Sequence, residues 1–194
     1  MSHKNVPVFI PHLGCPNDCV FCNQRKITEH LSFDEDGVKD TIDEAVATLK
    51  PGDEAEIAFF GGSFTGIDRD LMIRLLTLGK SYIDRGVVSS LRCSTRPDYI
   101  DDEILDILKK YGVKTIELGI QSTDDTVLQT CKRGHTASQS FKAMELIKSK
   151  GFDFIGQMMT GLPGATEESE IKTCNDVNYK FTVYEKISKG ENDL

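Results

Sequence analysis

Three cysteines fall within eight residues, in Cys15-Pro-Asn-Asp-Cys19-Val-Phe-Cys22, with three residues between the first two and two between the last two. One wrapped loop with that spacing can present three thiolates to a compact site. Thiolate is a soft ligand, suited to iron–sulfur clusters or zinc and not to hard cations. Three local ligands leave a fourth position open. A structural zinc is normally closed by four protein ligands, and His12, His30 or a remote cysteine would have to supply the last, none of them at a finger spacing. Inert core thiols fit poorly beside Pro16, Asn17 and Asp18, because buried structural cysteines favour apolar surroundings. The remaining cysteines, Cys93, Cys131 and Cys174, stand alone. A disulfide framework is usual in small secreted chains, so metal binding is the better reading of the group.

Further clusters of small, polar or cationic residues recur along the chain. Gly61-Gly62-Ser63-Phe64-Thr65-Gly66 can bring backbone close to a ligand, since glycine permits positive φ, although a tight turn explains the same letters. In Ser94-Thr95-Arg96-Pro97-Asp98, a hydroxyl of Ser94 or Thr95 can meet a ribose. Asp98 or Asp101 can equally cap the next helix without touching a ligand. Gln121 lies in Gly119-Ile120-Gln121-Ser122, and Arg133 follows twelve residues later in Lys132-Arg133-Gly134-His135-Thr136. The arginine fork suits a carboxylate; an ion pair with Asp124 or Asp125 is its competing use. Met159-Thr160-Gly161-Leu162-Pro163-Gly164 can turn the chain tightly before a helix near Thr166.

These clusters must be positioned by regular elements, and β-rich runs alternate here with helical runs, which implies a parallel α/β sheet. Strands are expected at Pro7–Ile10, Glu56–Phe60, Leu91–Ser94, Thr115–Ile120 and Asp153–Met159. Val38, Ile42, Ala45, Val46 and Leu49 share a helical spacing, which predicts a helix over Asp34–Leu49 that Pro51-Gly52 stops. Further helices are expected at Arg69–Arg85, Asp101–Tyr111 and Ser138–Lys150. In parallel α/β folds the strand C-termini share one rim, and each cluster above follows a strand.

At 194 residues and 39% hydrophobic content the chain suffices for one domain with a sizeable core. Its 23 basic and 31 acidic residues give a net charge of −8, which argues against broad nonspecific attraction to nucleic acid. Two local basic groups remain, Arg25-Lys26 and Lys132-Arg133 with His135, and solvated loops are their ordinary explanation. No apolar run approaches the roughly 20 residues that span a bilayer, and no signal-peptide run follows Met1-Ser2-His3-Lys4-Asn5. The expected location is cytoplasmic, with no membrane partner.

CxxxCxxC after the first strand, with Phe21 before the last cysteine, resembles the signature of the radical S-adenosylmethionine superfamily. The resemblance implies an α/β fold, a partial (β/α)6-type barrel, with a [4Fe–4S] cluster on Cys15, Cys19 and Cys22. It implies S-adenosylmethionine at the fourth iron, reductive cleavage to a 5′-deoxyadenosyl radical, and an electron donor such as a ferredoxin or flavodoxin. Cofactor contacts are then expected from Phe21, Gly61, Gly62, Ser63, Ser94, Gln121, Arg133 and Gly161. Ser63 stands where many members carry glutamate. Gln121 and Arg133 match the separation of the ribose- and carboxylate-binding residues in the coproporphyrinogen-dehydrogenase group.

The segments IPHLGCPNDCVFCNQRKIT, FFGGSFTG, IELGIQS, KRGHT and MTGLPG most resemble the radical domain of the Elongator catalytic subunit and its bacterial relatives, from about Val6 to Ile171. That group modifies the wobble uridine of tRNA at C5 with a carbon unit from acetyl-CoA, so the implied substrate is tRNA. A porphyrin-related or other small-molecule radical enzyme is the alternative within the superfamily. A non-enzymatic iron–sulfur or zinc protein is the alternative outside it. One domain is expected over residues 1–194, with 173–194 poorly matched, Phe181–Tyr184 as a sixth strand, and a truncated C-terminal end. Cys19→Ala is expected to abolish cluster binding and Cys93→Ala to leave it intact, as iron and sulfide analysis after reconstitution will show.

Overall fold

Strands alternate with helices throughout the residues described by the computed structural model, 3–11, 13–22 and 33–178. His12, Arg25, Lys26, His30 and the sixth strand expected at Phe181–Tyr184 lie outside them. The strands are β1 (His3–Ile10), β2 (Glu54–Gly61), β3 (Ser90–Thr95), β4 (Val113–Gln121) and β5 (Asp153–Met158). The helices are α1 (Val38–Val46), α2 (Arg69–Asp84), α3 (Asp102–Lys110), α4 (Asp125–Thr130), α5 (Ala137–Ser149) and α6 (Glu167–Asn178).

All neighbouring strands pair in parallel, in the order β1-β2-β3-β4-β5. Parallel strands in sequential order need crossovers of one hand, which put every intervening helix on the same face. That is the arrangement of a barrel wall. The helix-covered face is built from Val6, Val8, Ile57, Phe59, Leu91, Ile116 and Leu118, which join Ile42, Leu75, Leu105 and Met144 of the helices in one buried core.

The other sheet face is polar. Glu56, Arg92 and Glu117 meet diagonally across β2, β3 and β4, with Arg92 paired to Glu56 at 3.5 Å and to Glu117 at 3.2 Å. Ser90 donates to Glu56 at 2.6 Å, and Gln157 donates to Glu117 at 3.0 Å. A buried ion network of this kind is a weak source of net stability, but its partners fix one another in place.

Helix starts follow from side-chain caps. Asp68 accepts from Leu71 N at the head of α2, Asp101 from Ile104 N at α3, and Thr136 with Gln139 forms a capping box at α5. The first helix is shorter than the expected Asp34–Leu49. Asp34 accepts from Gly37 N and closes a turn before Val38, and at the other end Thr48 and Leu49 bond three residues back, tightening the chain ahead of Pro51. The short α4 was absent from the sequence expectation; Asp124 caps it by accepting from Thr126 N and Val127 N.

The loop after β1 lies directly on the loop after β2. Ser63 N donates to the Leu13 carbonyl at 3.0 Å, and a Cβ placed on Gly62 would lie 1.9 Å from that carbonyl. A Cβ on Gly14 would lie 2.1 Å from the Ser63 carbonyl. The glycines let two backbones meet where any side chain would hold them apart. Gly62→Ala is expected to displace the Leu13–Gly14 turn and destabilise the fold by about 1–3 kcal/mol, measured by denaturant unfolding.

Candidate functional site

The cysteine loop follows β1 and turns tightly, with Cys22 N donating to the Cys19 carbonyl at 2.9 Å. Cys19 is buried, Cys15 half-buried and Cys22 exposed, and no disulfide joins any of the six cysteines. Two bonds tie this loop to the segment after α4. Val20 N donates to the Cys131 carbonyl at 3.1 Å, and Asn17 Nδ2 donates to the Arg133 carbonyl at 3.2 Å.

Arg133 is buried, and its side chain reaches back into the same place. Nη2 donates to the Gly119 carbonyl at 2.6 Å, and Nη1 lies 3.7 Å from Cys19 Sγ. A Cβ on Gly119 would come within 2.8 Å of Arg133 Nη2 and 3.1 Å of Gln121 Nε2. Glycine at 119 therefore lets both side chains lie over the end of β4. Gln121 has φ 70, a left-handed conformation unusual for its type, and the β4–β5 register shifts between Gly119 and Gln121. Bulges of this kind re-aim side chains at strand ends. Gln121 Oε1 and Arg133 Nε are buried without a hydrogen-bond partner among the described residues.

The thiol of Cys15 is pushed up by burial, opposed by the guanidinium groups of Arg96 and Arg133 and reinforced by Cys22 and Cys19. Cys15 thus lies within electrostatic reach of both guanidinium groups and of the other two thiols of its loop. Cys93 differs: it is completely buried between the sheet and the helices, and its thiol is pushed up to about 12 by burial and by Glu117. It has no part in the cysteine loop.

The other expected site residues are placed as follows. Ser63 is wholly buried; its hydroxyl meets Thr95 Oγ1 at 3.0 Å and accepts from Arg96 N at 3.3 Å, so it joins the ends of β2 and β3. Ser94 Oγ donates to Glu117 at 3.1 Å and belongs to the polar sheet face. Gly61 has φ 116, and a Cβ there would meet the Ile10 carbonyl at 2.4 Å, so with Gly62 it accommodates the end of β1. Phe21 packs on a small apolar group of Val127, Cys131 and Leu162. Gly161 is exposed with φ 70, and its N–H donates to Glu170 at 2.6 Å.

Asp124 and Asp125 are not partners of Arg133. The first caps α4, and the second accepts from Ala137 N at 2.7 Å. Of the basic group at 132–135, only Lys132 is exposed; Arg133 and His135 are buried, so that group is not the solvated loop its composition suggests. Sequence reasoning missed Asn17 as a link between loops. It also missed Arg96 with Asp98, which form a bidentate pair at 2.9 and 3.0 Å while Asp101 does the capping. The proximity of Arg96 and Asp98 in the Arg96-Pro97-Asp98 turn was the signal present.

The fold and this loop define a parallel α/β protein with a thiol-bearing site at the C-terminal ends of its strands. The chain belongs to the radical SAM superfamily, whose family description it matches over residues 9–177. It is 29% identical over 179 residues to a methylthiotransferase candidate of Methanocaldococcus jannaschii, covering 89% of this chain and 39% of that protein. It is 28% identical over 144 residues to the tRNA uridine(34) acetyltransferase of the same organism, covering 66% of this chain and 27% of that protein. The structure superposes on the archaeal Elp3 of Methanocaldococcus infernus with a TM-score of 0.69 at 21% identity, over 94% of this chain and 45% of that one. The chain thus spans less than half the length of each of these relatives. Among the described residues no helix is long and apolar enough to cross a membrane.

Enzymes of the superfamily use a [4Fe–4S] cluster and S-adenosylmethionine. The residues present fit that pair. Three soft donors share one loop, Arg133 reaches that loop with its buried Nε unsatisfied, and the unsatisfied Gln121 Oε1 belongs to the side chain that lies with Arg133 over Gly119. Among the described residues no three Cys, His, Asp or Glu side chains gather around a single metal-ion position. A cubane spreads its thiolates over separate irons and does not require such a gathering.

Burial, then the charge of Arg133, holds the His135 imidazole down to about 4, with Asp98 opposing. Its folded value lies below the unfolded one near 6.5, so the neutral ring favours the folded state above that value, and the contribution is lost as pH falls from about 6.5 towards 4. Thermal unfolding should therefore show a fall of on the order of 2–3 kcal/mol over this window, and His135→Gln should flatten it.

Proposed function

We propose that this chain is the radical domain of an enzyme that cleaves S-adenosylmethionine to modify a base of tRNA, the wobble uridine being its target. Cys15, Cys19 and Cys22 hold the [4Fe–4S] cluster. When bound and reduced, the cluster supplies the electron that breaks a carbon–sulfur bond of S-adenosylmethionine and yields the 5′-deoxyadenosyl radical. The observation that carries the reading is the meeting of the cysteine loop with Arg133, whose side chain lies with that of Gln121 over the end of β4, in a member of this superfamily.

In this reading Arg133 donates to the methionine carboxylate with the part of its fork that Gly119 leaves free, and Gln121 Oε1 accepts from a ribose hydroxyl. Phe21, partly buried against Val127, Cys131 and Leu162, offers an apolar flank. Support for the substrate comes from the relatives named as tRNA uridine(34) acetyltransferases. A ferredoxin or flavodoxin is the proposed donor, in a cytoplasmic setting.

After anaerobic reconstitution, dithionite and S-adenosylmethionine should give 5′-deoxyadenosine, and added tRNA should increase its formation. Absence of 5′-deoxyadenosine from a cluster-loaded sample contradicts the chemistry. Stimulation by a porphyrinogen and not by tRNA contradicts the substrate.

A further inference from the structure

Arg96 is an unusual residue in this fold. It leaves the end of β3 ahead of Pro97, and its side chain is only 2% exposed although it carries a full charge. Lysine and arginine are rarely buried so completely unless paired. The pairing here is to Asp98, with Nε to Oδ1 at 2.9 Å and Nη2 to Oδ2 at 3.0 Å. Nη2 also donates to the Arg133 carbonyl at 2.7 Å, the same oxygen that accepts from Asn17 in the cysteine loop. Nη1 is buried with no hydrogen-bond partner among the described residues. Neither residue is required for helix capping, which Asp101 provides at α3.

We propose that Arg96, held by Asp98, is a positioning residue for the cysteine loop: it fixes the carbonyl on which Asn17 rests, and its buried charge favours the reduced state of a cluster on the three cysteines. This rests on the proposed cluster ligands. The physical basis is that adding an electron adds negative charge, which a nearby buried cation stabilises more strongly than it would in water. Cluster potentials respond to net charge and hydrogen bonding in this way. Asp98 partly cancels that cation, so the two residues act on the potential with opposite sign.

The test is an EPR-monitored redox titration of the reconstituted full chain, with iron and sulfide content measured in parallel. Arg96→Gln is expected to shift the midpoint to more negative potential, and Asp98→Asn to shift it to more positive potential. Arg96→Lys, which keeps the charge and loses the fork, is expected to lower cluster content while leaving the potential of the loaded fraction close to wild type. A purely structural pair would reduce loading in every variant without opposite shifts. Unchanged midpoints, or shifts of the same sign in Arg96→Gln and Asp98→Asn, overturn the inference while leaving the cluster assignment standing. If Arg96→Gln does not fold, the positive shift in Asp98→Asn decides alone. A wild-type chain that takes up no iron and sulfide overturns the cluster assignment itself, and this inference with it.

Discussion

The main-chain oxygen of Arg133 accepts hydrogen bonds from Asn17 in the cysteine loop and from Arg96 at the end of β3. Three segments distant in sequence therefore meet at one acceptor, while the side chain of the same residue reaches the Gly119 carbonyl at the end of β4 and the sulfur of Cys19. A loop bearing three thiols has little apolar surface of its own to bury. Its shape must come from such directional bonds, and from the close backbone contact with Gly61–Gly66 that the absence of side chains permits. Loss of this shared acceptor would leave the sheet intact and the thiols without a fixed arrangement.

The sheet supplies what these loops cannot. Five parallel strands in sequential order place their C-terminal ends along one rim, with the core formed on the helix side. Glu56, Arg92 and Glu117 make the opposite face polar and leave it uncovered by helices. The division lets one face be packed tightly for stability while the other presents hydrogen-bonding groups. The strained backbone of Gln121 lies where the two requirements meet.

The strands were legible because each carries a short β-rich run between turn residues, and each expected strand lies at an observed one, differing mainly in its ends. The three cysteines were legible from spacing alone. What spacing could not convey is which polar residues face outward from a loop and which are consumed inside it. Ser63 and Ser94 have the right chemistry for a ribose, yet their hydroxyls are engaged with Thr95 and Glu117. The glycine pair has the right freedom for ligand contact, yet the space at Gly62 is filled by the Leu13 carbonyl. Arg96 and Asp98 are separated only by a proline, and only the fold shows that their bond also fixes a third loop. Such roles depend on partners more than thirty residues away, which a local pattern does not encode.

The cysteine loop is proposed to seat a [4Fe–4S] cluster with one iron left open for S-adenosylmethionine. Mössbauer spectroscopy of the iron-57-reconstituted chain, recorded before and after adding S-adenosylmethionine, tests it most directly. The account predicts a cubane spectrum in which one iron site alone changes on addition of the cofactor. A mononuclear metal, or a cubane whose sites are all indifferent to S-adenosylmethionine, would contradict it.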